Sequence, residues 1–379
     1  MARIVLLGAG HSHIEVTRRA AELTRAGHEL LLVSPEREHP YSGMGPGMLG
    51  GTYSLQQILL PAADLVERGG GRFIAAAALS HDPGSRTLQL STAQQLSYDV
   101  LSVNIGSELD SYRGTAADTS SAVAAAERPI FAVKPISQLA AARSVIEQCC
   151  RARGNCRVAV VGGGAAGVEL AGNAAQLLRR CGVSEPAVEL YSATAALAGL
   201  EGSRLRYVRR CLARGGVSVH TGGKVDPSRL NSDVTLLATG IRPVAVLGRF
   251  GLRCAADGAL RVDRFLRAEG ATRIFAVGDS AWFSDHPLDR VGVYAVRMQA
   301  VLMHNLAQSA AAADGNAEAR QLERFEATGA YLGGLNLGLG RGILFRGCVT
   351  IRGRPAFKLK DIIDRRFMHR FQWRTRIYS

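Results

Sequence analysis

Two stretches of the chain place glycines where a backbone turn could receive a diphosphate. In one, Arg3-Ile4-Val5-Leu6-Leu7 runs into Gly8-Ala9-Gly10-His11-Ser12-His13. In the other, Arg157-Val158-Ala159-Val160-Val161 runs into Gly162-Gly163-Gly164-Ala165-Ala166-Gly167. Each is followed by a helical segment and a further apolar strand, at Glu29 to Val33 and Ala187 to Tyr191. A glycine fingerprint carries meaning only in that strand, turn, helix, strand context. In the second copy Gly162 permits the tight turn, Gly164 lets a pyrophosphate approach the backbone, and Gly167 lets helix and strand pack closely. The helix amino terminus adds free N–H groups and the positive end of its dipole. This stretch is expected to bind a dinucleotide.

The first copy departs from the rule, because His13 stands where the third glycine belongs. A histidine there either forces a wider contact between helix and strand or points toward the ligand. Ser34 occupies the place of a ribose-binding acid, with Glu36 the nearest carboxylate, and Tyr191-Ser192 lacks such an acid in the second copy. The choice between NADH and NADPH stays open. His11 and His13 form a His-x-His pair without a third ligand nearby, so no metal is expected. Gly278-Asp279 follows the apolar run Ile274 to Val277, which puts an acid at a strand end, suited to a polyol hydroxyl chain or a pyrophosphate-bound water.

The elements that must position these groups fit within 379 residues, room for two to three domains. The economical arrangement has residues 1–108 and 235–318 forming one nucleotide-binding domain. A second, at 130–234, is inserted in it, and a tail occupies 319–379. Between the fingerprints lie a Gly, Pro and Met-rich loop (His39 to Gly51), a helix (Ser54 to Arg68) and short strands; Ala116 to Ala126 reads as a surface loop. The formal charge is +14, but 42 of the 46 basic residues are arginine and no nucleic-acid-binding motif is present, so nucleic-acid partners are excluded. No run of about 18 apolar residues occurs, and Met1 to Gly10 reads as a strand rather than a signal peptide, which points to the cytoplasm. The seven cysteines form no C-x2-C or C-x4-C pair and are expected to be structural thiols.

Together these pieces resemble the two-dinucleotide flavoproteins of the pyridine nucleotide–disulfide oxidoreductase superfamily, and within it type II NADH:quinone oxidoreductases. The resemblance rests on Gly162 through Gly172, on Ala238-Thr239-Gly240 and Gly278-Asp279-Ser280-Ala281, and on Tyr98-Asp99-Val100-Leu101 leading to Gly106-Ser107. Asn104-Ile105 replaces the usual Ala-Thr in the last of these. A narrower likeness, to a subgroup related to selenide, water dikinase, rests on Gly10 to His13, Tyr41 to Met44, Lys134-Pro135, Lys358 to Asp361 and Asp364 to Phe367.

The resemblance implies an α/β fold of two Rossmann-like, three-layer ββα domains, one inserted in the other. It implies FAD along Gly8, Gly10, His11, Ser12 and His13, with its ribityl chain near Asp279, and adds Ser34, Lys134, Gly240 and Gly278 as cofactor-binding residues. NAD(P)H would lie along Gly162, Gly164 and Gly167. Glu169 falls where relatives carry a carboxylate near the meeting of flavin and nicotinamide, suited to orienting the nicotinamide or relaying a proton; the alternative is a residue that only caps or salt-bridges its helix. Arg297 would supply a cation beneath the flavin, in a segment whose two characteristic glutamines are missing, although Gln299 lies nearby.

The activity so implied is an FAD-dependent NAD(P)H dehydrogenase passing electrons to a quinone or another small acceptor. Two alternatives stand beside it: a non-catalytic FAD-binding partner or sensor in selenium metabolism, and a sulfide:quinone oxidoreductase-like enzyme, disfavoured because Val168 stands at the family's cysteine position. Expected partners are the small electron acceptor, a membrane surface, a selenide, water dikinase-type protein and a second copy of the chain. The membrane expectation comes from the tail, where Leu359, Ile362, Ile363, Phe367 and Phe371 recur at helical spacing among Lys358, Lys360, Arg365, Arg366, Arg370, Arg374 and Arg376. That stripe would attach the chain peripherally to the inner face of the cell membrane, or else pack on its own core.

Overall fold

Ile4 to Leu7, a run of apolar residues at zero to one percent exposure, lies in a strand covered on both faces that forms the centre of a five-stranded parallel sheet. In this computed structural model, which describes residues 1–109, 128–313, 315, 321–327 and 330–372, the strand order is Ile274–Ala276, Val100–Val103, Arg3–Leu7, Glu29–Ser34 and Arg72–Ala75. The expected loop at Ala116 to Ala126 lies outside the described residues. Arg157–Val161 is the centre of a second parallel sheet, ordered Ile130–Ala132, Val234–Leu237, Arg157–Val161, Ala187–Ser192 and Val217–Thr221.

In both sheets the chain leaves the central strand to one side and returns on the other. Each central strand therefore ends at a topological switch point, the place where open α/β sheets receive ligands. The helices His11–Arg18 and Ala165–Arg180 start there. The fold is of the mixed α/β, Rossmann-like kind expected.

Three local expectations are corrected. Val234–Leu237 is hydrogen-bonded to Arg157–Val161 and Ile130–Ala132, so the second sheet keeps the chain past residue 235. Its four residues are buried and fill the slot beside the central strand. The helix expected over Ser54 to Arg68 is broken into Leu55–Ile58 and Ala62–Arg68, because Pro61 between them has no N–H to continue the ladder. The tail is more than an amphipathic helix: the antiparallel strands Gly333–Asn336, Gly342–Arg346 and Val349–Gly353 precede the helix Arg354–Gln372.

That helix does not carry one apolar stripe. Ala356, Phe367, Met368 and Phe371 face the protein, whereas Leu359, Ile362 and Ile363 are 38%, 52% and 40% exposed. The inward face between Ala356 and Phe367 is held instead by the buried pair Lys360 and Asp364, with Nζ to Oδ2 at 2.7 Å. Arg374 and Arg376 lie outside the described residues.

Candidate functional site

The Gly8–Gly10 turn is locked from beneath by the residue that replaces the third glycine. His13 is fully buried, its Nδ1 2.6 Å from the Gly8 carbonyl and its Nε2 2.7 Å from Ser102 Oγ on the neighbouring strand. Burial drives its pKa down to about 4, so the ring is neutral. The side chain turns into the sheet and does not point toward a ligand. Ser12 is turned inward too, donating to the Ala295 carbonyl at 2.7 Å, while Gln299 Nε2 donates to the His11 carbonyl at 2.6 Å. Both tie the fingerprint to the long helix Gly292–Ala313. Met298 on the same helix lies 3.4 Å from the Gly278 N–H. Ser34 is buried at the end of its strand, and Glu36 is exposed.

Above this turn stands a compact polar group. Lys134 Nζ lies 2.7 Å from Asp279 Oδ2 and 2.6 Å from Ser107 Oγ, and Ser107 Oγ in turn donates to Asp279 at 2.6 Å. Burial pushes the Asp279 carboxyl up, but the Lys134 ammonium and these hydrogen bonds outweigh it and hold the carboxyl below its ordinary value. His11 stands close by, its pKa lowered to about 4 by burial and by Lys134. Its ring meets those of His39 and Tyr41 at 5.2 and 5.3 Å. Ser107–Leu109 pairs antiparallel with Ile241–Pro243, directly after Gly240, where φ is +110°. This pair brings the crossings between the two sheets to the group.

At the second fingerprint the three glycines differ in their surroundings. Gly162 has φ +130°, and a Cβ on Gly167 would overlap the Gly162 carbonyl. A Cβ on Gly164 would meet nothing within 4 Å. Neither Gly164 nor Gly10 offers a side chain to cap the helix it begins, and no side-chain cap is made at either. Two helix starts whose first amides no side chain caps, each at the end of a central strand, fit the diphosphates of two dinucleotides.

Glu169, one turn into the second helix, accepts a hydrogen bond from the Asn336 N–H at 2.7 Å. Burial raises its pKa to about 7, against the opposing pull of Lys360 and of that hydrogen bond. Lys360 donates to the Gly43 carbonyl at 2.8 Å, Tyr41 donates to Asp364 at 3.2 Å, and Tyr41 stacks on Phe367 at 4.7 Å. Tyr41 thus links His11 to the tail helix. Sequence reading missed Tyr41, Lys360, Asp364 and Asn336 as partners of Glu169; the only signal was two lysines close together in a lysine-poor chain. Arg297 is half-buried, with its guanidinium 5.9 Å over the Tyr294 ring.

A carboxyl whose folded pKa is raised binds more protons when folded than when unfolded. Its stabilisation is present below its ordinary value of 4.5 and is lost as pH rises toward about 7. Thermal unfolding across that window should show stability declining with pH, and Glu169→Gln should flatten the decline. An unchanged pH dependence in the variant would show that Glu169 is not the titrating group.

Two parallel sheets, each with a glycine turn at its switch point, make an α/β protein built to hold two dinucleotides. Residues 2–313 match the pyridine nucleotide-disulphide oxidoreductase family, and the chain belongs to it. Membership supports FAD and NAD(P)H as the cofactors. Among curated proteins, ferroptosis suppressor protein 1 of Taeniopygia guttata is 33% identical over 149 residues, a match covering 33% of this chain and 39% of that protein. Among solved structures, the sulfide:quinone oxidoreductase of Aquifex aeolicus superposes with a TM-score of 0.76 at 16% identity, covering 98% of this chain and 92% of that one. NDH2 of Plasmodium falciparum, solved with NADH, gives 0.72 at 13% identity, covering 100% and 98%. These two likenesses are of fold.

Proposed function

We propose that the chain is an FAD-dependent NAD(P)H dehydrogenase that passes electrons to a quinone or another small acceptor. The observation that carries this reading is Glu169. It is a carboxyl poised near neutral pH where the second fingerprint helix and the tail helix converge with the His39 to Gly51 segment. That segment is not the loop expected but a short strand at His39–Pro40 followed by helical turns at Ser42–Met44 and Gly45–Leu49. FAD, when bound, supplies the hydride-accepting and electron-passing chemistry. On this reading the FAD diphosphate lies along the turn of Gly8 and Gly10, close to Gly278, where the lack of side chains lets Asn104 pack against the turn, and Ser34 stands at the ribose end. Asp279 and Lys134 orient the polyol chain, beside His11 and the Gly240 crossing. Gly162, Gly164 and Gly167 do for NAD(P)H what the first turn does for FAD. Glu169 holds or releases a proton at its carboxyl oxygen, tuned by Lys360, and Arg297 supplies positive charge from the Gly292–Ala313 helix. His13 and the Ser12 hydroxyl position the turn and do not touch the ligand.

Anaerobic addition of NADH or NADPH to the yellow holoprotein should bleach its visible flavin absorbance. No bleaching with either would overturn the dehydrogenase reading. Glu169→Gln should keep its FAD and lose about tenfold or more in turnover, the contribution of one acid–base group. Unaltered turnover would leave Glu169 as a tether between its helix and Asn336.

The acceptor side of the proposal includes a membrane surface. Leu359, Ile362 and Ile363 are exposed beside Lys358 and Arg366, and the adjoining strand exposes Val349 and Ile351 at 64% and 39%. Apolar residues rimmed by cations suit an anionic bilayer. No helix among the described residues is long and apolar enough to cross one. The full chain should sediment with anionic liposomes at low salt and release at high salt, and serine at 359, 362 and 363 should abolish sedimentation. Equal pelleting of the variant would remove the membrane from the proposal.

A further inference from the structure

We propose that Asn104 is a ligand of the dinucleotide at the first fingerprint, its side-chain amide donating to an oxygen of the FAD diphosphate or the adjoining ribose. The inference rests on the FAD reading above.

Asn104 directly follows Val100–Val103, the strand beside Arg3–Leu7 at the switch point. Its backbone already belongs to the turn: its N–H donates to the Leu7 carbonyl at 2.8 Å, and its carbonyl accepts from the Gly10 N–H at 3.3 Å. Its side chain is wedged between the two glycines that bound the site. A Cβ on Gly10 would overlap the amide, and a Cβ on Gly278 would stand 2.9 Å from Oδ1. The residue is 3% exposed, and its Nδ2 is buried with no hydrogen-bond partner.

A buried N–H without a partner is costly, and native structures rarely keep one. Gly10 and Gly278, which flank the amide, have no side chains to offer it. Both belong to the turns read here as the FAD site, so an acceptor for this donor is supplied by what those turns hold. A neutral amide pointed at an anionic oxygen makes a charge-assisted hydrogen bond, stronger than a neutral one. The same geometry accounts for asparagine where the resembling family has alanine.

The test compares wild type, Asn104→Ala and Asn104→Asp as full-length chains. FAD is stripped, and the dissociation constant is measured by quenching of added FAD fluorescence alongside apoprotein melting. Asn104→Ala should bind FAD about ten- to a hundredfold more weakly, the range of a charge-assisted hydrogen bond. Its apoprotein should melt no lower than wild type, because a buried unpaired donor is gone. Asn104→Asp, of the same shape, should bind still more weakly, since a carboxylate would face the phosphates. Unchanged FAD affinity in Asn104→Ala, or failure of both variants to fold, would overturn the proposal and make Asn104 a packing residue. Failure of stripped wild type to bind FAD would overturn the FAD reading itself.

Discussion

Gly164→Val leaves the protein folded and yellow and removes its reduction by NADH and NADPH. The structure makes this a selective lesion. Gly164 has an extended backbone at the start of the Ala165–Arg180 helix, and a Cβ there projects into open space. The fold loses little more than a helix-start preference, about 1 kcal/mol. The added isopropyl group occupies the space through which a diphosphate must reach the helix amides. Displacing a bound reactant by about 1 Å already costs on the order of a hundredfold. Titration of the variant with NAD(P)H under anaerobic conditions, with its FAD content measured beside wild type, checks the result. Loss of FAD along with the nicotinamide response would show that the two fingerprints have been assigned the wrong way round.

Lys360→Met is expected to destabilise the chain by about 3–5 kcal/mol, the cost of leaving one member of a buried ion pair without its partner. Lys360 and Asp364 have side chains only 15% and 7% exposed, and Lys360 also holds the Gly43 carbonyl. Burial already raises the Asp364 carboxyl against the pull of Lys360, so removing the lysine pushes it further toward its protonated form. Lys360→Met with Asp364→Asn should recover most of the loss, because the amide oxygen can still accept from Tyr41. Denaturant unfolding of the three proteins measures this. A loss below about 1 kcal/mol in the single variant would place the pair in the exposed class. The same substitution removes the cation that holds Glu169 down, so the pH dependence tied to Glu169 should move above about 7.

The strand and glycine patterns are local, and they were legible. Arg3–Leu7 and Arg157–Val161 are apolar throughout because both faces of a parallel strand are covered, and that coverage is written into consecutive residues. Gly162 stands at φ +130° and Gly167 packs on the Gly162 carbonyl, so this part of the pattern is set within one turn and its spacing announces it. Asp279 was legible for the same reason, as an acid at the end of an apolar strand.

What spacing could not decide is where a polar side chain finds its partner. Whether His13 faced ligand or sheet depended on Ser102, on a strand far along the chain. Lys360 looked like one charge among many on a basic tail, and only docking of the Arg354–Gln372 helix turned it inward beside Glu169. Val234–Leu237 joined the second sheet because a buried slot beside Arg157–Val161 was open to it. The amino-acid sequence by itself determined the two fingerprints and the sheets that carry them, since apolar periodicity and glycine geometry act over a few residues. The tertiary structure alone decided which carboxyl titrates near neutrality and which amide is left without a partner. Desolvation and pairing depend on groups that the chain brings together only when folded.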